Sequence, residues 1–425
     1  MKNFTRRDFI KLMGSAAAVS AVGFPAIAAA GGKKQVVVVG GGPGGATAAK
    51  YILRADPTIE VTLIEPNKHY YTCFFSNEVI GGDRKLDSLK FSYDGLSRRG
   101  VNVVHDTVTG IDAEARKVTI SSGHSFSYDR CIVAPGISFG DDIAGYDMAA
   151  AEKMPHAWKA GAQTALLRSQ LEAMPDGGMV LIAAPPNPFR CPPGPYERAC
   201  QMAYYLKNHK PKSKILILDK KDKFSKQGLF TQAWERHYPG MIEWVKASDT
   251  NGGVTRVNAS AGTVSTEFDT HKPAVTNIIP SQKAGEIAHT AGLTDESGWC
   301  PIDGKTFEST IHKGIHVIGD AAIQAPLPKS GYAANSEAKV TAAAVVDLVN
   351  GREPGEPSWV NTCYSIVAPE DGISVAMVYN LVDGKVAKVK DAGGLTPADS
   401  SPGDRKREYE YAHSWFNNVT QDIFG

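Results

Sequence analysis

A chain of 425 residues, 42% apolar and 21% charged, has room for two or three domains with cores of their own, which excludes a disordered or fibrous protein. Its formal charge of +1 excludes the broad basic field that nucleic-acid binding requires. The first segment reads as a signal and not as part of the fold. Thr5-Arg6-Arg7-Asp8-Phe9-Ile10-Lys11 precedes an alanine-rich stretch ending Ala28-Ala29-Ala30-Gly31, the pattern of a twin-arginine export signal over residues 1–30 with a small-residue cleavage site. That stretch is too short and too rich in alanine for a stable membrane span, so the expectation is a folded periplasmic protein without a membrane anchor. Loss of four cations and one carboxylate would take the charge from +1 to −2. The lysine runs at 207–214 and 220–223 then read as solvated loops.

Next comes a buried strand, Val36 to Val39, running into Gly40-x-Gly42-x-x-Gly45 and a run of small helix formers. The first glycine permits the tight turn and the second lets backbone approach a pyrophosphate. The third lets helix and strand pack closely, with the helix N-terminus facing the negative charge. A second strand, Val61-Thr62-Leu63-Ile64, ends in Glu65, placed to bind ribose hydroxyls,. Eight residues further on, Cys73 lies in Tyr70-Tyr71-Thr72-Cys73-Phe74-Phe75, a position along the bound cofactor and near its reactive ring. Two later strands, Arg130–Val133 before Ala134-Pro135-Gly136 and Ile315–Ile318 before Gly319-Asp320, complete the set. Together these segments resemble the three fingerprints of the glutathione-reductase-like flavoproteins, which implies FAD. In that superfamily the aspartate matching Asp320 contacts the ribityl and phosphate region; as a bare sequence feature it also suits a helix N-cap.

A second strand–turn–helix–strand unit follows: Met179 to Ala184, a turn, a helix over Ala199–Leu206, and Ile215 to Asp219. Its turn holds Pro185, Pro186, Pro188, Phe189 and Arg190 where a nucleotide-binding turn needs glycines, which disfavours NAD(P)H. The turn carries Cys191, boxed in by prolines, and Glu197 six residues on. A locked thiol beside a carboxyl of raised pKa suits proton-coupled thiol chemistry; a buried structural cysteine is the other reading. None of the six cysteines forms a CxxC pair and there is no CxxCH haem motif,. The C-terminal region reads as a helix Glu337–Leu348, Cys363 in Asn361-Thr362-Cys363, a strand Ile373–Tyr379 and a polar loop Asp391–Asp404. An aromatic tail around Trp415 follows, either packing against a neighbour or standing beside the cofactor ring. The tail's Gly, Pro, Asp and Lys content predicts no amphipathic helix.

The segments around Cys73, Phe189-Arg190-Cys191-Pro192-Pro193-Gly194-Pro195-Tyr196-Glu197, Lys329-Ser330-Gly331-Tyr332 and Asn361-Thr362-Cys363 together resemble the flavoprotein subunit of flavocytochrome c sulfide dehydrogenase. The resemblance implies that Cys73 is joined through sulfur to the 8α-methyl of FAD. It also implies that Cys191 and Cys363 form a redox-active disulfide beside the flavin, with Glu197 and Trp415 near it. The fold class expected is α/β. Residues 31–145 and 281–345 would form a discontinuous FAD domain, 146–280 a degenerate Rossmann domain, and 346–425 an α+β C-terminal domain facing a partner. The implied activity is oxidation of sulfide to sulfur or polysulfide, with electrons passed singly to a c-type cytochrome subunit that carries the haem. A sulfide:quinone oxidoreductase-like enzyme and a flavoprotein activator of a thiosulfate-oxidising system are the alternatives. Cys131, Cys200 and Cys300 receive no role.

Overall fold

The computed structural model describes residues 32–425; the export signal expected over residues 1–30 lies outside them. Valine's branched side chain suits an extended backbone buried on both faces, and Val36 to Val39 are almost wholly withdrawn from solvent in β1 (Gln35–Val39). The chain turns into α1 (Pro43–Ala55), with proline in its first turn,, and continues through β2 (Glu60–Ile64), α2 (Ser76–Gly81), β3 (Asn102–Val104) and β4 (Arg130–Val133). A second unit is then inserted: β5 (Met179–Ala184), α3 (Gly194–His209), β6 (Lys214–Asp219), α4 (Gln227–His237), β7 (Ile242–Val245) and β8 (Val275–Ile278). Only afterwards do β9 (Ile315–Val317) and α5 (Gly331–Val349) appear.

The first sheet has the order β9-β4-β1-β2-β3 and the second β7-β6-β5-β8, both parallel. Because β9 closes the first sheet from beyond the second, the chain crosses between the units twice. The crossings are joined by an antiparallel pair, Ile137–Phe139 with Gln282–Ala284. Small residues let α1 and α5 lie close together: Ala46, Ala48 and Ala49 are buried on one, Ala333, Ala338 and Ala342 on the other.

The C-terminal region departs from the sequence reading. Long antiparallel strands β10 (Ser358–Ala368), β11 (Asp371–Val382) and β12 (Lys385–Leu395) pair in that order, so the loop expected from Asp391 is strand as far as Leu395. The tail expected to lack an amphipathic helix is α6 (Pro402–Phe424), started by a capping box between Ser401 and Asp404,. Its apolar face, Phe416, Val419, Ile423 and Phe424, is buried in the protein. Phe424 stacks on Phe91 at 5.2 Å between centroids and meets Tyr70 and Tyr93. Lys50 Nζ closes the helix end by donating to the carbonyls of Gln421, Asp422 and Gly425, where a cation is favoured by the helix dipole. Among the described residues no helix is long and apolar enough to cross a membrane. Two other helices are longer than expected: α3 starts at Gly194 instead of Ala199, and α5 at Gly331 instead of Glu337. In each case a cap or proline upstream of the apolar pattern sets the start.

The packing of α6 predicts that Phe424→Ala lowers the unfolding free energy by about 3 kcal/mol, as loss of a buried phenyl ring does. A urea titration showing a loss below about 1 kcal/mol would mean that α6 is not integral to the core.

Candidate active site

The ends of β1, β2, β4 and β9 open onto a cavity of about 780 Å³ lined by Gly40, Gly42, Glu65, Cys73, Gly319 and Asp320. Gly45 does not line it but lies beneath the turn, where a Cβ would come within 1.9 Å of Gly40 O; the turn closes only with glycine there. Glu65 Oε2 accepts from Gly41 N at 2.9 Å, and Oε1 accepts from Asn67 N and Nδ2 at 3.0 and 2.7 Å. Gly319 N donates to Glu337 Oε2 at 2.7 Å. Asp320 Oδ2 pairs with Arg190 Nε at 2.5 Å, while Oδ1 is buried without a hydrogen-bond partner among the described residues. A glycine turn against a helix N-terminus, an acid at the end of β2 and an unsatisfied buried carboxylate oxygen on the cavity wall fit FAD as the occupant.

Beside this cavity is a smaller chamber of about 100 Å³, and the two share Cys73, Arg190, Ser330 and Gly331. Cys191, Glu197, Cys363 and Trp415 line the chamber. The structure thus brings together in the chamber four of the residues singled out from sequence, with Cys73 where chamber and cavity meet. Cys191 and Cys363 are both free cysteines in this structure, as are the other four. Cys191 has φ +56°, a conformation that costs free energy in any residue but glycine. It is held by its N–H on Lys329 O and by Gly194 N on its own carbonyl, both at 2.8 Å. Gly194 is required where α3 begins, since a Cβ would lie 2.6 Å from the Trp158 ring and 3.1 Å from Cys191 Sγ. Trp415 stacks on Tyr332 (5.7 Å, 10°) and meets Phe74, the neighbour of Cys73, at 5.2 Å.

The chamber is electrostatically tight. Glu197 Oε1 accepts from Ile366 N at 2.8 Å and Oε2 from Asn77 Nδ2 at 2.9 Å; burial nevertheless pushes its carboxyl above the ordinary range. Burial, then the neighbouring Glu197 and Cys363, push the Cys191 thiol well up, with Lys226 acting against them. Arg198, fully enclosed, donates to Asn77 Oδ1, Asn277 Oδ1 and the carbonyls of His156 and Ala157. Sequence reading missed Lys226, Asn77, Arg198 and the role of Arg190. Lys226 follows a lysine run that reads as a loop, and it is buried, with Nζ bonded to Cys363 O and Ser365 Oγ, each at 2.8 Å.

In the second unit the place for a nucleotide is filled by side chains. Asp219, at the end of β6, is wholly buried and accepts from Tyr196 Oη, Trp244 Nε1 and Lys221 Nζ at 2.5, 2.9 and 2.6 Å. Tyr196 stacks on Phe224 at 3.6 Å.

A parallel-sheet dinucleotide fold whose cofactor cavity adjoins a chamber of thiols defines a flavoprotein oxidoreductase, and residues 34–164 match the family model described as pyridine nucleotide-disulphide oxidoreductase. Residues 164–280 match the central region of the sulfide dehydrogenase (flavocytochrome c) flavoprotein chain, and residues 355–424 the flavin-binding region of flavocytochrome c sulphide dehydrogenase. The chain belongs to the flavocytochrome c sulfide dehydrogenase flavoprotein family. Over 34 residues it is 60% identical to the sulfide dehydrogenase (flavocytochrome c) flavoprotein chain of Chlorobaculum thiosulfatiphilum, covering 8% of this chain and 71% of that sequence. A 65-residue stretch is 43% identical to an NADH dehydrogenase-like protein of Mycobacterium tuberculosis, and the chain spans only 16% of that relative's length and 13% of its own in this match. Among solved structures, the sulfide:quinone oxidoreductase of Aquifex aeolicus has the same fold, with TM-score 0.72 over 92% of both chains at 19% identity.

Glu337 gives this site a pH signature. Burial pushes its carboxyl up to about 7 from an ordinary 4.5. A raised carboxyl holds its proton more tightly in the folded state, so its contribution to stability is full at low pH and is lost as pH rises from 4.5 through 7,. Glu337→Gln is expected to gain relative to the native protein by about 3 kcal/mol across that window. Parallel stability profiles from pH 4 to 8 would show that the Glu337 carboxyl titrates alike in the folded and unfolded chain.

Proposed function

We propose that this chain is the flavoprotein subunit of a periplasmic sulfide dehydrogenase, taking electrons from sulfide and passing them singly to a c-type cytochrome on a separate chain. The observation that carries the reading is the meeting of Cys73, Cys191 and Cys363 in one chamber against the cofactor cavity. In this reading Cys73 tethers FAD through sulfur, which its lining of both spaces supports. Cys191 and Cys363, on one chamber and 172 positions apart in the chain, are the pair that closes as a redox disulfide.

With that disulfide closed, hydrosulfide attacks one sulfur. A bond forms between the incoming sulfur and that cysteine, the cysteine–cysteine bond breaks, and its electron pair remains on the other sulfur as thiolate. Glu197, with its carboxyl raised by burial, takes the extra proton when neutral hydrogen sulfide arrives in place of the anion. Trp158, Tyr332 and Trp415 wall the chamber and limit water, which strengthens each charge interaction inside. Bound FAD supplies a two-electron acceptor that can be emptied one electron at a time. No CxxCH motif occurs in the sequence, so the haem that receives those electrons belongs to a partner.

A quinone acceptor is the second reading. The tail forms a helix, α6, but its apolar face is turned into the protein. The deciding experiment offers anaerobic holoprotein sulfide with cytochrome c and a soluble quinone in parallel. Fast cytochrome reduction with slow quinone reduction is expected, and the reverse would make this a soluble relative of the quinone enzymes. Flavin that sulfide cannot bleach would favour an activator of a thiosulfate-oxidising assembly. Cys191→Ser is expected to abolish sulfide turnover, and turnover that survives it would exclude the disulfide mechanism. Cys73→Ala is expected to release its flavin on acid precipitation while the native protein retains it; flavin retained by both would place the tether elsewhere.

A further inference from the structure

The two thiols of the chamber are not equivalent. Cys363 lies on β10 with Asn361 Nδ2 donating to its Sγ at 3.4 Å. The amide sits in a short relay. Ser330 Oγ accepts from Ala333 N at 3.0 Å and donates to Asn361 Oδ1 at 2.6 Å, which leaves the amide nitrogen, at 3.4 Å, nearer the sulfur than Oδ1 at 3.9 Å. Asn361 is 3% exposed, so no water competes for this geometry. Lys226 reinforces it. The residue is 6% exposed, takes φ +60° just ahead of α4, and spends its two hydrogen bonds on uncharged oxygens, Cys363 O and Ser365 Oγ. A buried ammonium without a bound carboxylate is costly unless negative charge appears close to it.

Cys191 has the opposite surroundings. It sits ahead of α3, and although the helix N-terminus favours an anion, Glu197 occupies the first turn of that helix. Burial and Glu197 are the two largest influences disfavouring its thiolate, whereas Cys363 is the leading charge that sustains the Lys226 ammonium against burial.

We propose that Asn361 and Lys226 make Cys363 the sulfur that leaves as thiolate, so that sulfide adds to Cys191. The proposal rests on the disulfide reading above and deepens it. In atoms, hydrosulfide bonds through sulfur to Cys191 Sγ, the Cys191–Cys363 bond breaks, and the product pair is Cys191 persulfide and Cys363 thiolate. Charge is conserved, one anion entering and one remaining. Asn361 and Lys226 are positioning residues, acting on the sulfur that departs. The other charged or titratable groups facing this pair are Glu197 from α3, Cys191 ahead of it, Tyr379 from β11 and Glu408 from α6.

Two measurements test it on the holoprotein. In a Cys191→Ser background, Cys363 is alkylated with iodoacetamide under anaerobic conditions across pH and quantified by mass spectrometry of its peptide. Cys131, Cys200 and Cys300 are fully buried and stay silent. Lys226→Gln and Asn361→Ala are each expected to raise the midpoint by about one unit, which is about tenfold less thiolate at a fixed pH below it, and Lys226→Arg to restore it. The variants lie on different elements, so if one fails to fold the other still reports, with thermal unfolding and flavin content as controls. Second, holoprotein with native cysteines receives one equivalent of sulfide and is trapped with alkylating agent; the extra sulfur is expected on the Cys191 peptide. Unmoved midpoints in both variants, or the extra sulfur on Cys363, would overturn the proposal. The titration needs no sulfide. Shifted midpoints in a protein that sulfide cannot reduce would therefore support the thiolate assignment and sink the functional reading. Sulfide turnover with unmoved midpoints would do the reverse.

Discussion

The site depends on one partly buried ion pair, Arg190 with Asp320. The two side chains are 15% and 11% exposed and meet at 2.5 Å, joining the turn ahead of α3 to the end of β9. Such a pair overcomes its desolvation cost only in part when some of its polar groups stay unbound, and Asp320 Oδ1 has no partner among the described residues. The Arg190 guanidinium reaches Trp158 O at 3.4 Å, and its backbone N–H donates to Gln282 Oε1 at 2.8 Å. The next residue is Cys191, whose N–H is tied to Lys329 O. One contact therefore fixes the thiol relative to the cofactor cavity, although the thiol belongs to the inserted unit and the cavity to the unit around it. Arg190 lines both spaces, so its charge acts on whatever anion forms in either.

The inserted unit explains why a dinucleotide fold persists where its own binding turn has been replaced. Asp219 occupies the position from which such a fold binds ribose, yet it is consumed by Tyr196, Trp244 and Lys221, and aromatic rings fill the adjoining volume. What remains useful is the strand–turn–helix geometry itself. A helix that elsewhere aims its N-terminus at a phosphate here presents Cys191 just before it and Glu197 in its first turn. Prolines replace glycines because the turn no longer has to admit a ligand's backbone contacts; it has to hold one thiol in a strained conformation.

How much of this was legible in the sequence follows from how local each signal is. The turn from Gly40 to Gly45, Glu65 and the Gly319-Asp320 strand end are short-range patterns, and the structure places Gly40, Gly42, Glu65, Gly319 and Asp320 around one cavity with Gly45 packed beneath. The meeting of Cys191 with Cys363 was not legible from spacing and came only through resemblance. Asn361 and Ser330 stand in short motifs, but the bond between them crosses from the start of α5 to β10 and has no periodicity to reveal it. Lys226 was hidden by its neighbours Lys220, Lys221 and Lys223, since composition does not show which lysine of a run turns inward. The last helix was readable and misread. Ser401 with Asp404 is a capping signature, and Ala412, Phe416, Val419 and Ile423 keep helical spacing, a pattern that the glycines and prolines before and within the first turn mask.

That misreading matters because α6 forms a wall of the chamber. Ala412 and Trp415, the latter stacked on Tyr332, close one side of it, Phe416 packs behind against Phe75, and the helix is held down by Lys50 and the rings around Phe424. A wall of aromatic side chains lowers the local dielectric, which raises the cost of any unmatched charge and increases the effect of each matched one. Sulfur chemistry that separates an electron pair in such a space needs its countercharges fixed in advance, since water cannot supply them. The buried polar groups around Cys363, costly to any fold on stability grounds alone, become intelligible as the polar environment that the aromatic wall makes necessary.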